Sequence, residues 1–210
     1  MRIDFHLHTL YTKSLFGSEM IPEKILKKAK ERRLGGVAIT DDNTLRGYFK
    51  FKKLVANDKD FIVIPGFEFI GLKEIREVLV LGIEYIPKKQ NLLDFIDEVR
   101  SNGGVCIVPH PFTFDPFIRY RRSLRDLKLF DGIEVINSFD WSKYKEFASK
   151  LADSVKIAKI AGSDAHSLRN IGMAYTICEE DPIKAIRKRK TKVAGRESPW
   201  SYKISNFFSL

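Results

Sequence analysis

Arg2-Ile3-Asp4-Phe5-His6-Leu7-His8-Thr9 is a short strand-like run that leads into two histidines, where a nucleotide-binding sheet would carry a glycine-rich loop. Side chains alternate along a strand, so His6 and His8 point to one side, about 7 Å apart along the backbone, and can share a cation or serve two adjacent ones. The other two histidines of the chain stand in equivalent places. His110 ends Val105-Cys106-Ile107-Val108-Pro109-His110-Pro111, and His166 ends Ile160-Ala161-Gly162-Ser163-Asp164-Ala165-His166. Polar residues follow nearly every apolar run: Asp41 and Asp42, Glu68, His110, Asn137 and Ser138, then Asp164 and His166. Ligands from the first and last strands can meet only if the sheet closes on itself. That is the logic of a barrel with its chemistry at the carboxyl ends of the strands.

Seven Val- and Ile-rich runs support this reading: Ile3-Asp4-Phe5, Gly36 to Thr40, Phe61 to Glu68, Val78 to Gly82, Val105 to Val108, Gly132 to Ile136 and Ile157 to Ala161. Amphipathic segments with three-to-four-residue apolar spacing lie between them, at Pro22 to Arg33, Leu92 to Asn102 and Tyr144 to Val155. Pro22 suits a first helical turn, and Gly35-Gly36 and Gly103-Gly104 suit helix stops. Regular alternation predicts an α/β fold: parallel strands, right-handed crossovers and a distorted seven-stranded (β/α) barrel as one domain over residues 1–210. There are no repeats and no low-complexity stretch.

The 210 residues, 44% hydrophobic and 30% charged, suffice for one well-filled core. No apolar run reaches the ~20 residues of a membrane helix, so the expected location is the cytoplasm. Cys106 and Cys178 lie inside apolar runs and read as buried thiols. The net charge of +10 gives weak support to an anionic substrate; abundant Lys and Glu with Gln90 as the only glutamine also resemble a heat-adapted composition.

Five stretches, in order, resemble the motifs of the polymerase and histidinol phosphatase (PHP) superfamily of metal-dependent phosphoesterases. They are Asp4-Phe5-His6-Leu7-His8-Thr9, Val37 to Asn43, Pro65-Gly66-Phe67-Glu68, Pro109-His110-Pro111 and Gly162-Ser163-Asp164-Ala165-His166. The resemblance covers almost the whole chain and implies a distorted seven-stranded barrel. It implies that His6, His8, Glu68 and Asp164 hold one divalent cation, and that Glu68, bridging, and His110 hold a second. His166 then belongs to a third position. Where the family usually completes that position, this chain reads Asp42 and Lys13, and a strand-four histidine of some members is replaced by Leu79. A charged ammonium ligates nothing, so two cations are expected to bind strongly, with Lys13 either supplying charge beside Asp42 or turned to solvent.

Two or three divalent ions (Zn, Mn, Fe or Mg) suit phosphoester hydrolysis, with Glu68, Asp164 and His166 in the reacting centre. Asp4 is expected either to orient a ligating imidazole or to be a structural carboxylate, and Asp41 to act similarly. Arg119, Arg121 and Arg122, interleaved with Phe112, Phe114, Phe117 and Tyr120, and secondarily Arg196, are candidates to grip phosphate. The run Arg187 to Lys192 is read as the charged surface of a final helix-to-strand turn. Expected substrates are phosphorylated small molecules or short nucleic acids. Two other readings stay open. An amidohydrolase also opens with His-x-His but calls for more strand-end histidines, and an RNA-binding barrel subunit would tolerate loss of the metal residues.

Overall fold

In a computed structural model, residues 1–12, 19–112, 124–138 and 144–199 are described. Among them fifteen elements follow in the order β1 (Arg2–Asp4), α1 (Pro22–Glu31), β2 (Gly36–Ile39), α2 (Arg46–Leu54), β3 (Ile62–Ile70), β4 (Glu77–Leu81), α3 (Leu92–Ser101), β5 (Val105–Val108), α4 (Leu124–Leu127), β6 (Gly132–Asn137), α5 (Lys145–Val155), β7 (Ala158–Gly162), β8 (Ala174–Cys178), α6 (Pro182–Arg187) and β9 (Thr191–Gly195). The three helices expected from periodicity are α1, α3 and α5. Pro22 sits in the first turn of α1, and Pro22, Ile25 and Ala29 form its buried stripe. Asn91 caps α3, its side chain accepting from the backbone N–H groups of Leu93 and Asp94.

The strands form one nine-stranded sheet ordered β7-β6-β5-β4-β3-β2-β1-β8-β9, curled into a nearly closed barrel. All seven runs read from the sequence are strands, but the barrel departs from the expectation in two ways. First, β4 is antiparallel to both β3 and β5: a hairpin joins it to β3, and α3 lies on its connection to β5. Second, a β8–β9 hairpin adds two strands, with β8 antiparallel to β1. The seam between β1 and β7 closes only near their carboxyl ends, through a bridge of Leu7 to Ala165 and the bonds His8 N–H to Ala165 O (3.1 Å) and Asp164 N–H to His6 O (2.7 Å). Lower down, the hairpin fills the seam. Thr176 Oγ1 bonds both the N–H and the C=O of Ala161, and Thr191 Oγ1 donates to Lys159 O.

Alternation divides the apolar residues into two layers. Ile3, Phe5, Ala38, Ile64, Leu79, Leu81, Val105, Ile107, Ala158 and Ile160 belong to an inner cluster, which Ala185 and Ile186 of α6 close at the amino ends of the strands. Neighbours of opposite parity, such as Val37, Phe67, Val80, Cys106 and Ala161, pack outward against the helices. The inner layer is therefore apolar up to one level, above which the same parity presents Glu68, Glu77 and Glu134. The Arg187 to Lys192 turn lies at the opposite end from those acids, where Arg187 donates to Gly104 O and Lys188 and Lys192 pair with Glu180 and Glu179. No helix among the described residues is long and apolar enough to cross a membrane. Cys106 and Cys178 are free and buried.

Candidate metal centre

His6 and His8 leave β1 at the barrel mouth and are nearly fully buried. His6 reaches its place because Gly162 on β7 lacks a side chain: a Cβ there would lie 2.4 Å from the His6 Cβ. Glu68 sits on β3, His110 two residues past β5, and Asp164 and His166 just past β7. His110 (φ 21°) and Asp164 (φ 53°) adopt left-handed backbone conformations that non-glycine residues rarely hold, a form of strain that clusters at functional sites.

Four donor atoms converge at the centre of the mouth. His6 Nε2 lies 3.2 Å from His8 Nε2, 3.4 Å from Glu68 Oε2 and 3.5 Å from Asp164 Oδ1. His8 Nε2 lies 3.5 Å from Glu68 Oε2 and 3.2 Å from Asp164 Oδ1. Ligands bound tetrahedrally at the usual ~2.0–2.2 Å stand about 3.4 Å apart, and the separations of the His6 and His8 nitrogens from each other, from Glu68 Oε2 and from Asp164 Oδ1 match that spacing. The second oxygen of Glu68, Oε1, is 3.1 Å from His110 Nε2, which makes the carboxylate a potential bridge between two cations.

The electrostatics are those of a crowded, largely buried polar cluster. Burial disfavours charge on His6, but the carboxylates of Asp164, Glu134 and Glu68 outweigh it and push its pKa well up. His110 is likewise opposed by burial yet raised to about 10, chiefly by Glu68. Glu68 and Asp164 would be raised by burial alone; the imidazoles around them draw both well down. His166 is pushed down to about 4 by burial and by the neighbouring His8, whose ring stacks on it at 4.3 Å. A neutral imidazole is the form that offers a lone pair to a cation.

The remaining candidate residues have contacts of their own. Asp4 orients no imidazole: its carboxylate accepts the backbone N–H groups of Ser163 (2.8 Å) and Gly172 (2.8 Å), tying β1 to the segment after β7, while burial raises its pKa to about 6. Asp41 binds Thr9, through its N–H (2.6 Å) and hydroxyl (2.7 Å), and so fixes the chain after His8. Asp42 lies against His8, Oδ1 to Nδ1 3.4 Å, and joins no group of three or more ligand atoms among the described residues; His166 clusters with His8 and Asp164 instead. Arg196 is exposed and lines a cavity of about 360 Å3 with Phe112, Tyr144, Lys145, Glu134 and Asn137. Lys13, Arg119, Arg121 and Arg122 lie outside the described residues.

Two acids went unnoticed in the sequence. Glu134, buried on β6, faces His6 Nδ1 with both oxygens at 3.3 and 3.4 Å and accepts the His110 N–H (2.8 Å) and an Asn137 amide N–H (2.9 Å). Its signal was available: a lone acid inside the apolar run Gly132 to Ile136 must face the polar side of the barrel. Glu77 begins β4, with Oε2 3.9 Å from His110 Nε2, and burial above all raises its pKa to about 7. It escaped notice because a parallel β4 would put its other end, near Gly82, at the mouth.

The chain is similar to several known proteins. A family model described as PHP-associated matches residues 144–191. The uncharacterized protein MJ1587 of Methanocaldococcus jannaschii is 36% identical over 152 residues, covering 66% of this chain and 83% of that protein. Among solved structures, a two-domain protein of Bacteroides vulgatus containing a predicted PHP-like metal-dependent phosphoesterase superposes with a TM-score of 0.75 at 15% identity, over 99% of this chain and 69% of that one. The lesion-specific endonuclease of Pyrococcus furiosus superposes with a TM-score of 0.63 at 15% identity, over 92% of this chain and 58% of that one. By its similarity to MJ1587, matched over 83% of that protein's length, the chain belongs to the family of MJ1587; with the solved PHP-like structures it shares the barrel fold.

Proposed function

We propose that the chain is a metal-dependent phosphoesterase acting on phosphomonoesters, nucleotides or short nucleic acid. The observation that carries this reading is the convergence of His6, His8, Glu68 and Asp164 at 3.2–3.5 Å, with Glu68 reaching on to His110. Those four would hold one divalent cation; Glu68 and His110 would hold a second, and His166 would contribute beside His8 and Asp164. Cations so held supply Lewis acidity toward a phosphoryl oxygen and toward an attacking water.

The chain's own residues do the rest. Asn137 donates within the site, its amide N–H 3.3 Å from Asp164 Oδ2, and so holds that carboxylate toward His8. Glu134 accepts from His6 Nδ1 and leaves Nε2 as the free lone pair. Arg196 and Lys145, at the rim of the adjoining cavity, offer cationic donors to a phosphate, and Phe112 and Tyr144 offer apolar faces to its leaving group. The buried carboxylates supply the strongly anionic donors that divalent ions need in an otherwise basic protein.

The similarity to a lesion-specific endonuclease keeps nucleic acid among the substrates to be tested. A purely RNA-binding role is disfavoured, because the basic run Arg187 to Lys192 is engaged in the bonds of a helix-to-strand turn at the far end of the barrel. The test is a screen of aryl phosphate, phosphorylated metabolites and short oligonucleotides with added Mn2+, Zn2+ or Mg2+, and with His6→Ala as the blank. Metal-dependent phosphate release or strand cleavage, lost in the blank, is expected. Turnover of amide substrates alone would replace the proposal with an amidohydrolase.

A further inference from the structure

We infer that Glu77 is a third protein donor to the second cation position, and that it makes this position one for a hard, oxygen-preferring ion such as Mn2+ or Mg2+. The inference rests on the reading of the mouth as a two-cation centre and adds to it which ion the second position selects. Glu77 is nine-tenths buried, at 9% exposure, and its Oε2 has no hydrogen-bond partner. The other oxygen, Oε1, faces the Arg76 Nε at 3.5 Å; Oε2 turns inward. A carboxylate oxygen taken out of water and left without a hydrogen bond, its nearest cationic neighbour His110 Nε2 at 3.9 Å, is costly, so such an atom calls for a bound partner. The partner's position is marked by the neighbours. One ligand atom from each of Glu68, Glu77 and His110 lies within 4.8 Å of the others.

Strand direction explains how Glu77 gets there. Glu77 shares the inward parity of Leu79 and Leu81, and because β4 is antiparallel its first residue lies level with the donor-bearing ends of β3 and β5. The two cation positions then differ in chemistry. The first is met by the imidazole nitrogens of His6 and His8 with a Glu68 oxygen, and Asp164 Oδ1 lies against the same two imidazoles; the second is met by two carboxylates and a single imidazole. Fewer imidazoles for the same number of carboxylates favours Mn2+ and Mg2+ over Zn2+, relative to the first position.

The test is metal binding itself. Metal-stripped protein is titrated with Mn2+ and with Zn2+ separately, followed by calorimetry and by the Mn2+ electron paramagnetic resonance signal, for the native chain, Glu77→Gln and Glu77→His. The native chain is expected to take up two Mn2+. Glu77→Gln, nearly isosteric but uncharged, should lose roughly 10–100-fold in affinity for one of them and keep the other. Glu77→His should move that one position toward Zn2+, changing its Mn2+-to-Zn2+ affinity ratio at least tenfold. Should Glu77→Gln fail to fold by circular dichroism, the ratio in Glu77→His decides. Two Mn2+ bound with unaltered affinities in both variants would overturn the role of Glu77 and leave the phosphoesterase reading intact; a native chain that binds no cation would overturn both.

Discussion

His6 has two nitrogens with different neighbours: Nδ1 faces the Glu134 carboxylate, while Nε2 joins the cluster of Glu68, Asp164 and His8. An acceptor opposite Nδ1 keeps the proton there and the lone pair on Nε2, so Glu134 selects the ligating tautomer. Replacing it with alanine also strands the buried His110 N–H. Glu134→Ala is predicted to lower affinity for the first cation by roughly 10–100-fold, read from competition with a chromophoric chelator; affinity within a factor of two of the native value would contradict this. The two thiols make an independent check on burial. Burial, and then Asp131, hold the Cys106 pKa well up, and burial lifts Cys178 to about 11, so at pH 8 about one Cys178 in a thousand is thiolate. Iodoacetamide at pH 8 should leave both unmodified in the native protein and label both in guanidinium; rapid native labelling would show that one of them is not enclosed.

Among the elements, the seam where β1 meets β7 positions the histidines, and Gly162 is its tightest point. A methyl group there would meet the His6 Cβ at 2.4 Å, the His6 backbone N at 2.7 Å and Glu134 Oε1 at 2.9 Å. Backbone and buried side chains surround it, so the strain has no cheap outlet. Gly162→Ala is predicted to cost about 3 kcal/mol, the upper range for overpacking. It should also weaken cation binding, seen as a lower midpoint in denaturant together with reduced metal content. Asn91→Ala tests a purely local device: loss of the α3 cap should cost about 1 kcal/mol with cation binding untouched. Most elements were legible from periodicity, because Val-, Ile- and Leu-rich runs and three-to-four-residue stripes are local signals. The direction of β4 was not. A run such as Val78 to Gly82 reads the same parallel or antiparallel, and only its pairing with β3 and β5 reveals that Glu77 stands at the mouth. The β8–β9 hairpin escaped notice because Ala174 to Cys178 carries no sign that it would fill an open seam rather than end the chain's core.

For the molecule as a whole, the arrangement separates stability from chemistry by height along the strands. The lower barrel interior is apolar and stoppered by α6; the upper level is a ring of imidazoles and carboxylates contributed by β1, β3, β4, β5, β6 and β7 or the residues just after them. That closure, inferred from ligand-type residues on the first and last strands, made His6, His8, Glu68, His110, Asp164 and His166 findable in the sequence. For Asp4 and Asp41 position alone left open whether they orient an imidazole or hold the backbone, and their bonds to Ser163, Gly172 and Thr9 are what the structure adds. Part of the chain's basic character stands at the far end of the barrel, with Arg187, Lys188 and Lys192. Removing charge from Lys188, Arg189 and Lys190, far from the mouth, is predicted to leave KM for a small phosphoester within twofold of native, whereas Arg196→Ala should raise it; a large effect of the distant cluster would contradict this division. The most direct test of the central claim is anomalous X-ray scattering from crystals grown with Mn2+, recorded at the manganese edge. The account predicts a peak within bonding distance of His6, His8, Glu68 and Asp164, and a second between Glu68 and His110. Well-ordered side chains with no anomalous peak among them would contradict it.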